Sequence, residues 1–124
     1  MTKPQTIQFV TIASGSALSS AFAVNGKEMA LLVPPGFPVT AALWLKVTGQ
    51  TAAQSGGAAN APPSSASFAR LDYDHVTSLS WNITTGGVPR ALNLKDLATP
   101  FKYAMIELSA ALTTPTSIQV LSRL

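Results

Sequence analysis

Apolar residues recur at every second position in short runs along this chain, and clusters of Gly, Pro, Asn, Ser and Thr separate the runs. Period two sends successive side chains to opposite faces of an extended backbone, so the pattern predicts strands rather than helices. The runs cover residues 5–12, 18–24, 28–33, 39–48, 68–73, 76–83, 90–92, 102–109 and 117–124. Eight to nine short strands in 124 residues predict an all-β fold, a β-sandwich or jelly-roll-like single domain spanning residues 1–124.

The alternation also assigns faces. Val39, Ala41, Leu43, Leu45 and Val47 share one side of their strand, which leaves Trp44 and Lys46 on the more polar side. Leu79, Trp81 and Ile83 point opposite to Ser80 and Asn82, so Trp81 is the expected core tryptophan. Ile106 and Leu108 face inward, with Tyr103, Met105 and Glu107 on the other face.

Asn25-Gly26 and Gly86-Gly87 read as hairpin turns, because tight primed turns need the positive φ that Asn and Gly tolerate. Pro34-Pro35-Gly36 and Thr114-Pro115 end strands, since proline cannot donate to a ladder. One helical turn is expected at Asn93 to Leu97, from an Asn cap and leucines three apart. A short N-terminal arm (1–5) precedes the first strand, and a long neutral loop (49–67) of small residues interrupts the middle of the chain. A loop of that length in a small domain is usually functional or disordered. Neither segment is expected to supply core residues.

Composition changes the picture mainly through charge. Charged residues make up 10% of the chain against roughly 25% in an ordinary domain, so the surface is mostly neutral and suited to contact with a partner. The net charge of +3 comes from cations scattered between Lys3 and Arg123 without a run or stripe, which argues against nucleic-acid binding. No run approaches the ~20 apolar residues of a membrane helix. Lys3, the apolar residues from Ile7 and Ala21-Phe22-Ala23 loosely mimic a secretory signal, but the interruptions at Thr11, Ser14, Gly15 and Ser16 favour a strand. The expectation is a chain made inside the cell without processing, in which Asn82-Ile83-Thr84 is a chance match to a glycosylation acceptor.

Candidate chemistry is sparse. With no cysteine and one histidine, thiolate metal sites, thiol nucleophiles and histidine clusters are excluded. Asp72, Asp74 and His75 form one dense polar cluster that has the donor types for a cation or for hydrolysis, but a solvated turn between strands is the expected reading. Glu28, Asp96 and Glu107 lie in separate elements, and no phosphate-cradling glycine motif or nucleophile elbow is present. No catalytic residue, cofactor or metal is therefore expected. Candidates for partner contact are Lys3 and Pro4 in the arm, Pro62 and Pro63 in the loop, and the aromatics Phe37, Trp44 and Tyr103, for which a core position is the competing reading.

The order of motifs resembles a known group. Thr11-Ile12-Ala13-Ser14-Gly15 with Leu18 is followed by Leu31-Leu32-Val33-Pro34 and by Val39-Thr40-Ala41-Ala42-Leu43-Trp44-Leu45-Lys46-Val47. Residues Leu92 to Leu97, then Phe101-Lys102-Tyr103, and a final Ile118-Gln119-Val120-Leu121 complete the series. In this order the motifs resemble small tailed-phage and prophage structural proteins of the head decoration, or capsid cement, type. Phe37 stands where such proteins often carry tryptophan, and the 49–67 loop replaces a short Asp-Gly turn. The resemblance implies a non-enzymatic virion component on the capsid exterior that binds the major capsid protein, bridges its neighbouring subunits and associates with itself as dimer or trimer. The competing readings are a tail or neck component and a carbohydrate-binding β-sandwich.

Overall fold

The computed structural model describes residues 5–24, 28–49, 61–71, 80–94 and 101–123. Nine strands lie in this part of the chain: β1 (Gln5–Ile12), β2 (Phe22–Ala23), β3 (Glu28–Val33), β4 (Ala41–Thr48), β5 (Ala69–Arg70), β6 (Ser80–Ile83), β7 (Arg90–Asn93), β8 (Tyr103–Leu108) and β9 (Thr116–Arg123). They form two antiparallel sheets. Sheet A has the order β1-β9-β3-β7; in sheet B the order is β2-β8-β4-β5, with β6 beside β5 on the same edge of β4.

The pairing has a simple logic. β1 pairs with β9, β2 with β8, β3 with β7, and β4 with β5 and β6, so strands counted from one end meet strands counted from the other. This is a long hairpin rolled into a sandwich, the arrangement of a jelly roll. The all-β sandwich expected from the alternation is the fold observed. Because β1, β2, β3 and β4 alternate between sheets, each early connection turns a corner instead of closing a hairpin.

That corrects both hairpin expectations. Asn25 and Gly26 lie outside the described residues, but the strands they connect, β2 and β3, belong to different sheets. The second turn does form, at residues 84–87 with Gly86 at φ 65° and the Gly87 amide donating to the Thr84 carbonyl at 3.2 Å, yet it joins β6 of sheet B to β7 of sheet A. The helical turn expected at Asn93 is not begun there: Asn93 ends β7, and buried Leu94 continues with its amide on the Met29 carbonyl at 2.9 Å. Its remainder lies outside the described residues.

The core fills the space between the sheets. Val10, Ile12, Leu31, Val33, Ile118 and Val120 from sheet A meet Leu43, Leu45, Ala104, Ile106 and Leu108 from sheet B, all of them buried. Trp81 is half-buried and packs against this cluster, as its alternation with Ser80 and Asn82 requires. Met105 departs from expectation, since it faces away from the core yet is buried.

One corner ties the sheets together. Ser19 bridges Ile12 of β1 and also meets β8, where its hydroxyl accepts from the Ile106 amide at 2.8 Å and donates to the Ser20 carbonyl. Leu18 lies opposite Glu107, but four residues later Phe22 lies opposite Ala104, so one extra residue is accommodated in the 18–22 segment. Such a bulge bends a strand. It reduces the expected 18–24 strand to two residues and lets the Ser20 amide reach the Thr11 carbonyl of β1 at 3.4 Å.

Candidate interaction surface

The outer face of sheet A is built by the residues that alternate with the core positions. Two rows cross the sheet: Ile7, Leu121, Ala30 and Asn93 are register neighbours, as are Phe9, Gln119, Leu32 and Ala91. Ile7 is 52% exposed and Phe9 67%, the largest exposed hydrophobics of the described residues besides Val88. Ile7 and Phe9 are exposed, Leu121, Ala30 and Leu32 beside them are half-buried, and Gln119 and Asn93 interrupt the rows with amides. Large apolar residues grouped on one face mark an interaction surface more strongly than scattered ones do.

Polar groups bound these rows. At one end Arg123 lies opposite Glu28, with 3.9 Å between their charged atoms; at the other the Thr11 and Ser117 hydroxyls are hydrogen-bonded at 3.1 Å. Across the sheet from β1 to β7, Phe9, Gln119, Leu32, Pro34, Pro89 and Arg90 line an open depression of about 410 Å³. The Arg90 guanidinium donates to the Asn82 carbonyl, which anchors it at the rim. This face offers apolar contact area with few ions to desolvate.

The outer face of sheet B is organised differently. Trp44 and Glu107 lie opposite each other on β4 and β8, and Arg70 of β5 reaches both. Its guanidinium carbon sits 4.0 Å from the Trp44 ring centroid, and its Nε donates to Glu107 Oε1 at 2.6 Å. A stacked, ion-paired arginine of this kind covers an aromatic face with the chain's own charge. Nearby Met105 and Phe68, each 6% exposed, are buried without belonging to the core between the sheets.

The residues expected to contact partners distribute unevenly. Phe37 is a core residue, which corrects its place among contact candidates: the turns at 34–37 and 84–87 clasp each other through Gly86 N–H to the Phe37 carbonyl (2.9 Å) and Gly36 N–H to the Gly87 carbonyl (3.2 Å). Pro63 is buried, though it is not part of the core cluster between the sheets, while Pro62 is exposed. Trp44 and Tyr103 are half-buried on the outer face of sheet B, Trp44 beneath Arg70. Lys3 and Pro4, like Asp72, Asp74 and His75, lie outside the described residues.

The apolar face of sheet A was not among the sequence-derived candidates. Its signal is present in β1, where Ile7 and Phe9 occupy one parity while Val10 and Ile12 occupy the other. A strand with large apolar residues at both parities has two faces to cover, and the sandwich covers one. Among the described residues no three carboxylate or imidazole side chains converge. Comparison with family models, curated proteins and solved structures finds no match to this chain.

Proposed function

We propose that this chain is a virion structural protein, a decoration or cement protein that docks on the outer surface of a phage capsid, bridges neighbouring major capsid subunits and stabilises the head. The observation that carries the reading is the outer face of sheet A, on which Ile7 and Phe9 stand exposed on adjacent rows of a sheet with few charges. The order of β motifs, which resembles that of such proteins, points the same way, and the jelly roll is a scaffold that capsid domains share with lectins.

The mechanism is added contact area. Covering one Ile or Phe side chain contributes on the order of 1.5–3 kcal/mol, while association costs about 4–15 kcal/mol in lost freedom. One such face therefore binds weakly. Repeated over a capsid, with each copy touching two capsid subunits, weak contacts gain through effective concentration and resist the outward pressure of packaged DNA. The carbohydrate reading loses Trp44 as a platform, because Arg70 occupies its face, and would have to use Phe9 beside Gln119 instead; glycan binding by the isolated chain that Phe9→Ser abolishes would favour it.

The test is to add purified protein to cognate heads stripped of it, then count bound copies and measure the temperature of DNA release. Saturable binding in a capsid-symmetric multiple with a raised release temperature is expected, and Leu32→Glu on the outer face of β3 should abolish it. Binding to tails or necks but not to heads would replace this reading.

A further inference from the structure

The edge of sheet A formed by β1 is unlike the other sheet edges among the described residues. At the opposite edge β7 has four residues and begins with Arg90 directly after Pro89. Sheet B ends in the two-residue β2 on one side and in the short β5 and β6 on the other. β1 has eight residues, QTIQFVTI, without a charge or a proline. Its last two residues are closed by the corner at Ser19 and Ser20. Over residues 6–10 its second edge has no backbone partner among the described residues. Sheets ordinarily protect such an edge by charge, proline, a bulge or brevity, and this run carries none of the four.

We propose that β1 pairs antiparallel with β1 of a second copy across a two-fold axis at Gln8, joining two four-stranded sheets into one of eight strands. A two-fold normal to the sheet maps the outer face onto itself, so only residues of equal parity can lie opposite each other. Centring on Gln8 sets Ile7 opposite Phe9 of the second copy, and Phe9 opposite its Ile7. Centring on Ile7 would set Phe9 against Gln5, and centring on Phe9 would set Ile7 against Thr11. The open run 6–10 is itself centred on Gln8, so the same register pairs every open residue.

Pairing the two edges buries the backbone of residues 6–10 and the flanks of both Ile7–Phe9 pairs, a small interface at or below the roughly 1,000 Å² of a specific one, so the dimer is expected to be weak. Backbone bonds supply the adhesion and the apolar pairs fix the register, as in strand addition generally. The dimer is isologous and closed at this edge, and it brings the Ile7 and Phe9 side chains of both copies together at the centre of the joined outer face. This inference holds whatever surface the chain docks on, and its test needs no capsid.

Sedimentation of the full chain over roughly 1–200 µM, the range in which a small interface associates, should give a dimer mass at the upper end. The double variant Ile7→Lys, Phe9→Lys should stay monomeric, with the circular dichroism and melting temperature of the wild type at dilutions where the wild type is itself a monomer, because both side chains are exposed. The chain has no native cysteine, so single cysteines report register: Gln8→Cys should oxidise to a covalent dimer, and Thr6→Cys should not. Should the lysine variant fail to fold, hydrogen exchange of the wild type decides, with slower exchange at residues 6–10 as concentration rises. A wild-type monomer throughout, a trimer, a dimer that survives both lysines, equal cross-linking at Thr6, or exchange independent of concentration would each overturn the proposal.

Discussion

The two outer faces of this sandwich start from the same alternation and end in opposite states. On sheet B the apolar outward residues are covered by the chain itself: Met105 and Phe68 are buried, and Trp44 lies beneath an arginine that is ion-paired to Glu107. On sheet A the rows through Ile7 and Phe9 stay open. The difference lies in the connections. The chain leaves β4, passes through the long loop and a short 3-10 turn at Ser65–Ser67, and returns alongside β4 as β5. That return places Phe68 and Arg70 at sheet B. Among the described residues, the face of sheet B is closed by the connection that returns to it as β5, and on the face of sheet A Ile7 and Phe9 remain exposed.

Substitutions can break this comparison, and the largest effect should come from the covering cluster. Phe68→Ala should cost about 3 kcal/mol in urea unfolding, the loss expected for truncating a buried phenylalanine. A cost under about 1 kcal/mol would mean that the outer cluster of sheet B carries no structural load. Next comes the corner that closes the end of the β1 edge. Ser19→Ala deprives the buried Ile106 amide of its side-chain acceptor and should cost roughly 1–3 kcal/mol, whereas Ser20→Ala removes no side-chain acceptor from that amide and should cost less.

Smaller effects separate a covered aromatic from a bare one. A double-mutant cycle on Arg70→Ala and Glu107→Gln should give a coupling below about 1 kcal/mol, falling further in high salt, because the arginine side chain is nearly half exposed. Trp44 fluorescence should respond to Arg70→Ala but not to Glu28→Gln on the far sheet. The smallest effect on stability belongs to sheet A. Phe9→Ser should change the unfolding free energy by no more than about 0.5 kcal/mol, and its consequence should appear in binding to heads and to a second copy. If Phe9→Ser unfolded the isolated chain as readily as Phe68→Ala does, the contrast between the faces would fail.

Much of the architecture was legible before any coordinates. The expected strands at 5–12 and 28–33 coincide with β1 and β3, and 39–48, 102–109 and 117–124 differ from β4, β8 and β9 by one or two residues at their ends. These are long runs in which alternation and flanking turn residues agree. The expectation was poorest where a run crosses between sheets: 18–24 became a bridge, a bulge and a two-residue strand, because pairing partners rather than local pattern decide where a ladder continues. Of the expected contact residues, Phe37 and Pro63 went inside. Aromatic and proline content cannot say which side of a turn faces the core.

The sequence by itself determined the all-β class, the inward set from Val10 to Val120, and the chain's poverty in charge, since each follows from local alternation and composition. Only the tertiary structure decided which strands are neighbours. That choice brought Trp44, Arg70 and Glu107 together across three strands, buried Met105 on the outer face of sheet B, and left β1 at an edge with Ile7 and Phe9 uncovered. The physical reason is that period two fixes which two faces a strand has, whereas what lies against each face is fixed by contacts between residues far apart in the chain.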